Sequence, residues 1–206
     1  MLTIAALLEQ CAPQVSPVLM QALVRTESAW QPLAIGMDNA QGTVKQPATL
    51  AEAIATAKEL AAAGRKFSVG LAQIHVSNVA LYGMTWEQAF DACQNLAVSQ
   101  KILWNFYQRA SASGYSGVAA IWAALRGYNS GGVDSAVSDE YANRIFAYMS
   151  SAPSQFQLGS DVPVTKAPTA AFLTPVSSPV VPADSAKAKR PGESLDIFER
   201  TKEAGF

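Results

Sequence analysis

Apolar residues recur along the first 150 positions with helical spacing. Leu19, Leu23 and Glu27 lie four apart, and Met20, Val24 and Glu27 four then three apart. At about 3.6 residues per turn these five positions share one face, so Ser16 to Ser28 predicts a short helix. Ser16 is its expected cap, and Pro17 suits its first turn. Upstream, the apolar stretch Leu2 to Leu8 predicts a first helix capped by Thr3, with Leu7 and Cys11 on one side. Thr49-Leu50-Ala51-Glu52 is a capping box opening a helix that runs to Ala63 and stops at Gly64. Thr85-Trp86-Glu87-Gln88 is a second such box, before a short turn of helix. Val98, Ile102, Phe106 and Ala110 then mark a long helix ending before Gly114. Val118, Ile121, Trp122 and Leu125 mark another, closed by Gly127. Ser138 caps the last helix, where Tyr141, Ile145 and Tyr148 or Met149 share a face. No stretch shows convincing strand alternation, so the expected class is all-α.

Glu27 departs from its own stripe. It places a carboxylate in line with core-facing residues and in the last turn, where the helix dipole disfavours negative charge. Desolvation and dipole both push its pKa upward, the condition for a carboxylic acid that keeps its proton near neutral pH. The competing reading is a glutamate at a fraying helix end, reaching sideways to water.

Composition changes near Ala152. Seven of the eleven prolines fall beyond it, among Ala, Ser, Thr and Val. The expected organisation is a domain over residues 1–151, a disordered and partly polyproline-II linker over 152–192, and a terminal peptide over 193–206. That peptide regains large apolar residues in Leu195, Ile197 and Phe198, as a tethered docking segment requires; the alternative is an idle tail. With 15 Lys+Arg against 16 Asp+Glu the chain offers no basic field for nucleic acid. No apolar run approaches the roughly 20 residues that cross a bilayer. The apolar N-terminus lacks a positive leader and is interrupted by Glu9, so the expected reading is a first helix and not an export signal of the usual kind.

Some chemistries are excluded outright. The lone histidine, His75, rules out a two-histidine zinc motif, and two cysteines cannot make a structural zinc site unaided. No Gly-x-Ser-x-Gly elbow exists. No metal or cofactor is expected. Cys11 and Cys93 are either a disulfide closing a long loop or two buried thiols.

Three further segments change the reading of Glu27. Glu27-Ser28 is followed by Gly70-Leu71-Ala72-Gln73-Ile74, then Tyr128-Asn129-Ser130-Gly131, then Tyr141 at the opening of the last helix. This ordered set resembles the signature of the lytic transglycosylases of the lysozyme superfamily. The long interval from Glu27 to Gly70, the run Phe67 to Ile74 and Cys93-Gln94-Asn95-Leu96 are similar to the branch that serves type IV secretion and conjugation systems. The resemblance implies a lysozyme-like, all-helical domain that cuts peptidoglycan glycan strands in the periplasm so that a secretion channel can be assembled. It implies that Cys11 and Cys93 are bonded.

The resemblance also assigns roles. Glu27 would protonate the glycosidic oxygen between N-acetylmuramic acid and N-acetylglucosamine. The substrate's N-acetyl oxygen would attack the anomeric carbon, and the C6 hydroxyl, deprotonated by Glu27, would close a 1,6-anhydro ring. Ser28 and Gln73 would hold the sugar by hydrogen bonds, Gly70 would admit close backbone approach, and Tyr128 and Asn129 would position the sugar. Tyr141 would hydrogen-bond near Glu27 or help orient the acetyl group. Asp38 and Asp91 lie outside the motifs and read as loop or capping residues. The chain departs from the family pattern at Ala29-Trp30, where Gly usually follows Glu-Ser, and at Ala72, His75 and Arg126-Gly127. A hydrolytic muramidase of the same fold and a non-catalytic scaffold of the secretion apparatus remain alternatives.

Overall fold

The computed structural model describes residues 3–38 and 42–151. The expected linker and docking peptide, 152–206, lie outside them. Among the described residues, eight α-helices and a small sheet follow in the order α1 (Ile4–Cys11), α2 (Pro17–Ser28), β1 (Ile35–Met37), α3 (Leu50–Ala62), β2 (Phe67–Val69), β3 (Ile74–His75), α4 (Val76–Leu81), α5 (Trp86–Phe90), α6 (Ala92–Ala112), α7 (Gly117–Ser130) and α8 (Asp139–Met149), with one 3-10 turn, Ala136–Ser138, leading into α8. The described chain is mostly helical, as the spacing predicts.

The long helix α6 is the axis. One of its faces, with Leu96 and Leu103, joins a core built from α1, α2, α7 and α8 around Leu7, Leu19, Leu23, Leu125 and Ile145. Its other face, with Ala97, Val98 and Ile102, joins a core around Phe67, Ile74, Val79 and Phe90 from the sheet, α4 and α5. Each fully buried side chain of this size contributes roughly 1.5–3 kcal/mol, so both halves are anchored on the same helix. The disulfide Cys11–Cys93, with its Cα atoms 5.0 Å apart, ties the end of α1 to the start of α6.

Local signals hold at several termini and fail at others. Thr3 accepts from the Ala6 amide, and Thr85 with Gln88 forms the complete capping box. Thr49 accepts from the Glu52 amide, while the Glu52 carboxylate reaches Ala48 instead of closing the box. Ser16 and Ser138 occupy cap positions without a side-chain capping bond. Gly127 does not close α7, which continues to Ser130 and ends on Gly131 at φ +81. Gly127 lies inside the helix because the Phe106 ring packs there: an added Cβ would come within 2.3 Å of it.

The sheet is the element that periodicity does not reveal. Its antiparallel order is β1-β2-β3, pairing Ile35 with Val69 and Ser68 with His75. Strands of three, three and two residues are too short to show a period of two.

Candidate active site

A cleft of about 840 Å³ opens between the two halves. Glu27, at the end of α2, forms part of its lining, with Gln73 and His75 from the sheet side and Tyr128 and Asn129 from the end of α7. Tyr141, in the first turn of α8, donates its hydroxyl to Glu27 Oε1. Its placement depends on how α8 is held. Arg25 stacks with its guanidinium 4.0 Å from the Tyr148 ring centre. Asp139, which opens α8, accepts from Trp122 Nε1 at 3.1 Å and pairs with Arg126 at 2.5 Å. Arg126, a departure from the family pattern, thus has a structural use: it fixes the helix that carries Tyr141.

Burial pushes the Glu27 carboxyl up to about 7, against the opposing hydrogen bond from Tyr141. The residue keeps some surface in the cleft, but apolar α2 neighbours and two tyrosines remove most of the water that would stabilise its charge. Burial, followed by the Glu27 charge, raises Tyr141 and Tyr128 well above the ordinary phenol range. Both therefore remain donors at neutral pH. With Tyr141 donating to Oε1, the acidic proton of Glu27 belongs on Oε2. The arrangement is a neutral carboxylic acid at a polar cleft, oriented by one phenol.

The Gly70–Gln73 turn presents the facing wall. Gln73 takes a left-handed backbone at φ +47. Its Nε2 donates to the carbonyls of Gly70 and Ala34 at 2.9 and 3.1 Å. Two carbonyl partners fix the amide orientation and leave Oε1 as the group available to accept. Tyr128 donates to the Ala72 carbonyl at 2.7 Å, joining the turn to α7. Behind the turn lies fully buried Asn95, which sequence reasoning placed only within a family-like segment. Asn95 accepts from the Ala72 amide at 2.8 Å and donates to Val69 and Ala89 carbonyls at 3.1 and 2.8 Å. Its capacity is nearly filled by backbone, and no pattern of apolar spacing could reveal that.

Other expected site residues are placed differently. Ser28 is buried, donates to the Val24 carbonyl at 3.4 Å within its own helix, and is not part of the cleft lining. Gly70 is also buried behind the wall. An added Cβ would meet Asn95 at 2.2 Å and the Ala89 carbonyl at 2.7 Å, at φ +81, so packing on Asn95 demands this glycine. Asn129 reaches the cleft while donating to Ser138 Oγ at 3.0 Å. Asp91 caps α6 by accepting from the Gln94 amide. Asp38, expected as a loop residue, also lines the cleft, with its Oδ2 3.7 Å from His75 Nε2. The His75 Nδ1 accepts from the Ser77 amide, so the ring proton sits on Nε2, toward Asp38. Among the described residues no group of three or more His, Cys, Asp or Glu side chains is placed to hold a metal ion. Nor is any described helix long and apolar enough to cross a membrane.

The transglycosylase SLT domain model matches residues 5–145, the whole span that builds this cleft. The chain belongs to the SLT transglycosylase family. Two relatives narrow the branch within that family. The type IV secretion system protein virB1 of Brucella suis biovar 1 is 46% identical over 110 residues, covering 53% of this chain and 46% of that protein. Protein virB1 of Agrobacterium fabrum is 26% identical over 136 residues, covering 66% of this chain and 55% of that protein. The chain thus spans about half the length of these relatives. No solved structure matches it significantly. The family explains one local oddity. Where its pattern usually has Gly after Glu-Ser, Ala29 adopts φ +48 and the next residue, Trp30, φ +70. A left-handed backbone favours glycine, so this chain holds strain two and three residues after Glu27.

Proposed function

We propose that this domain is a peptidoglycan lytic transglycosylase that cleaves the β-1,4 bond from N-acetylmuramic acid to N-acetylglucosamine and leaves a 1,6-anhydro end. The observation that carries this reading is the Glu27 carboxyl, kept neutral by burial up to about 7 and oriented by Tyr141 at the cleft. The glycosidic oxygen is a poor leaving group until protonated, and general acid catalysis contributes about 10²- to 10⁴-fold. Glu27 Oε2 donates that proton. The muramyl N-acetyl oxygen attacks the anomeric carbon as the bond breaks, so no second enzyme carboxylate is required. The resulting Glu27 carboxylate then removes the proton of the C6 hydroxyl, whose oxygen attacks the anomeric carbon and displaces the acetamido oxygen, closing the anhydro ring and restoring both the N-acetyl group and the acid. Gln73 Oε1 is suited to accept from a sugar N–H or hydroxyl, and Tyr128 shapes the same wall.

The type IV secretion names of the relatives support a role in opening the wall for a secretion channel, in the periplasm, where a Cys11–Cys93 disulfide persists. Residues 193–206 are the proposed docking peptide for a channel component. Deleting them leaves wall cleavage intact and weakens recruitment; unchanged recruitment removes the docking role.

A hydrolytic muramidase is the second reading, favoured by one observation: Asp38 brings another carboxylate to the same cleft. One digest of purified peptidoglycan separates the readings. The parent yields products lighter by one water than hydrolysis would give, and Glu27→Gln yields none. Reducing ends that disappear in Asp38→Asn support the hydrolase instead. Undiminished release by Glu27→Gln overturns both.

A further inference from the structure

The α6 side of the cleft carries a cation that the acid chemistry does not use. Arg109 stands in the last turn of α6 and shares the cavity lining with Phe106, Ser130 and Val137. Its guanidinium carbon lies 5.0 Å from the centre of the Phe106 ring. That ring is itself held in place, because it packs directly on Gly127. A guanidinium stacked on a fixed ring keeps its in-plane N–H fork for a planar anion.

Nothing in the described protein supplies that anion. Arg109 pairs with no carboxylate among the described residues. Of the two cleft carboxyls, Asp38 already faces His75 across 3.7 Å, and Glu27 is bonded by Tyr141. In a murein strand the carboxylates hang from the muramyl 3-position. They belong either to the stem peptide or, where that peptide has been removed, to the bare lactyl group. The sugar hydroxyls and acetamido groups elsewhere are uncharged.

Resting on the transglycosylase reading, we propose that Arg109 is a specificity-determining residue that binds a carboxylate borne on the muramyl 3-substituent, so that the cleft selects strands carrying one. The pair sits at an open rim, so its contribution falls with salt, and a Lys in its place keeps the charge without the fork.

The test compares parent, Arg109→Ala and Arg109→Lys on three substrates at low salt. These are native peptidoglycan, peptidoglycan stripped to lactyl carboxylates by an amidase, and native material whose carboxylates have been converted to amides with carbodiimide and ammonia. On native material Arg109→Ala raises the apparent KM about five- to twentyfold and spares kcat, and Arg109→Lys recovers part. The parent shows the same rise on amidated material, where Arg109→Ala adds nothing. A rise confined to native material identifies the stem carboxylates, one confined to stripped material identifies the lactyl group, and one on both shows that either carboxylate is bound. Equal KM for parent and Arg109→Ala on both native and stripped peptidoglycan overturns the proposal, as does an equal loss on native and amidated material. Should the parent cleave none of the three, the transglycosylase reading fails separately. The carboxylate contact is then read from co-sedimentation of Glu27→Gln, with and without Arg109→Ala, on native and amidated peptidoglycan.

Discussion

In the helical half of the molecule, α1, α2, α7 and α8 place Glu27 by apolar packing: Leu19, Met20, Leu23 and Val24 of α2 are all buried. In the sheet half, the wall facing that acid is placed by polar groups: Asn95, Gln73 and Tyr128 bond to backbone carbonyls and amides. The difference matches the two tasks that the proposed function assigns, an acid and a sugar-holding wall. An acid that must stay neutral needs surroundings poor in water and charge, which packed side chains supply. A wall that must hold a sugar needs irregular backbone at fixed positions, and such backbone requires hydrogen-bonding partners wherever it is buried. α6 belongs to both, which keeps acid and wall in register.

The largest way to break the comparison is at the acid itself. Glu27→Gln should lower cleavage about 10²- to 10⁴-fold while preserving the fold. It should also alter how stability depends on pH. The folded-state pKa of Glu27, about 7, lies above the unfolded value of about 4.3, so its favourable contribution is complete below the latter and is lost as pH rises through about 7. Melting curves should show the parent losing roughly 3–4 kcal/mol across that interval and Glu27→Gln losing less. An identical pH dependence in both proteins would remove the neutral acid from the account.

Asn95→Ala strikes the other half. It strands the Ala72 amide and the Val69 and Ala89 carbonyls in the interior, and should cost roughly 2–4 kcal/mol in denaturant unfolding. Cleavage should fall with it, as the Gln73 wall loosens. A loss below about 0.5 kcal/mol would mean that the turn does not depend on this side chain.

Tyr141→Phe sharpens the contrast without disturbing packing. Its hydroxyl pulls the Glu27 pKa down against the larger effect of burial, so its removal should move the alkaline limb of the pH–rate profile upward. The rate at its optimum should drop about tenfold as the acid loses its orienting bond. A limb that moves to lower pH would contradict the assigned direction. The smallest effect is expected at Ala29→Gly, which relieves a left-handed alanine and should stabilise by up to about 1 kcal/mol in thermal melts.

The helical half was largely legible in the sequence because its physics is periodic. The stripe Leu19, Leu23, Glu27 announced both the helix and its misplaced carboxylate, and four ordered motifs carried the family. The sheet half was not, for reasons visible in particular residues. Strands of two or three residues leave no alternation to read. Asn95 is a polar residue inside an apolar helix face, and its partners lie 6, 23 and 26 positions away in sequence. Ser28 and Gly70 belong to true motifs, yet proximity in a motif does not say which way a side chain points. Ser28 turns into its own helix, and Gly70 makes room for Asn95. Asp38 and Arg109 come to the cleft through tertiary packing alone.

The most direct measurement is the titration of the Glu27 side-chain carboxyl by carbon-detected NMR, with Glu27→Gln identifying the resonance. The account predicts a midpoint near 7, and a further rise in Tyr141→Phe. A midpoint in the ordinary carboxylate range, about 4, would show that the group is charged at neutral pH and cannot serve as the acid.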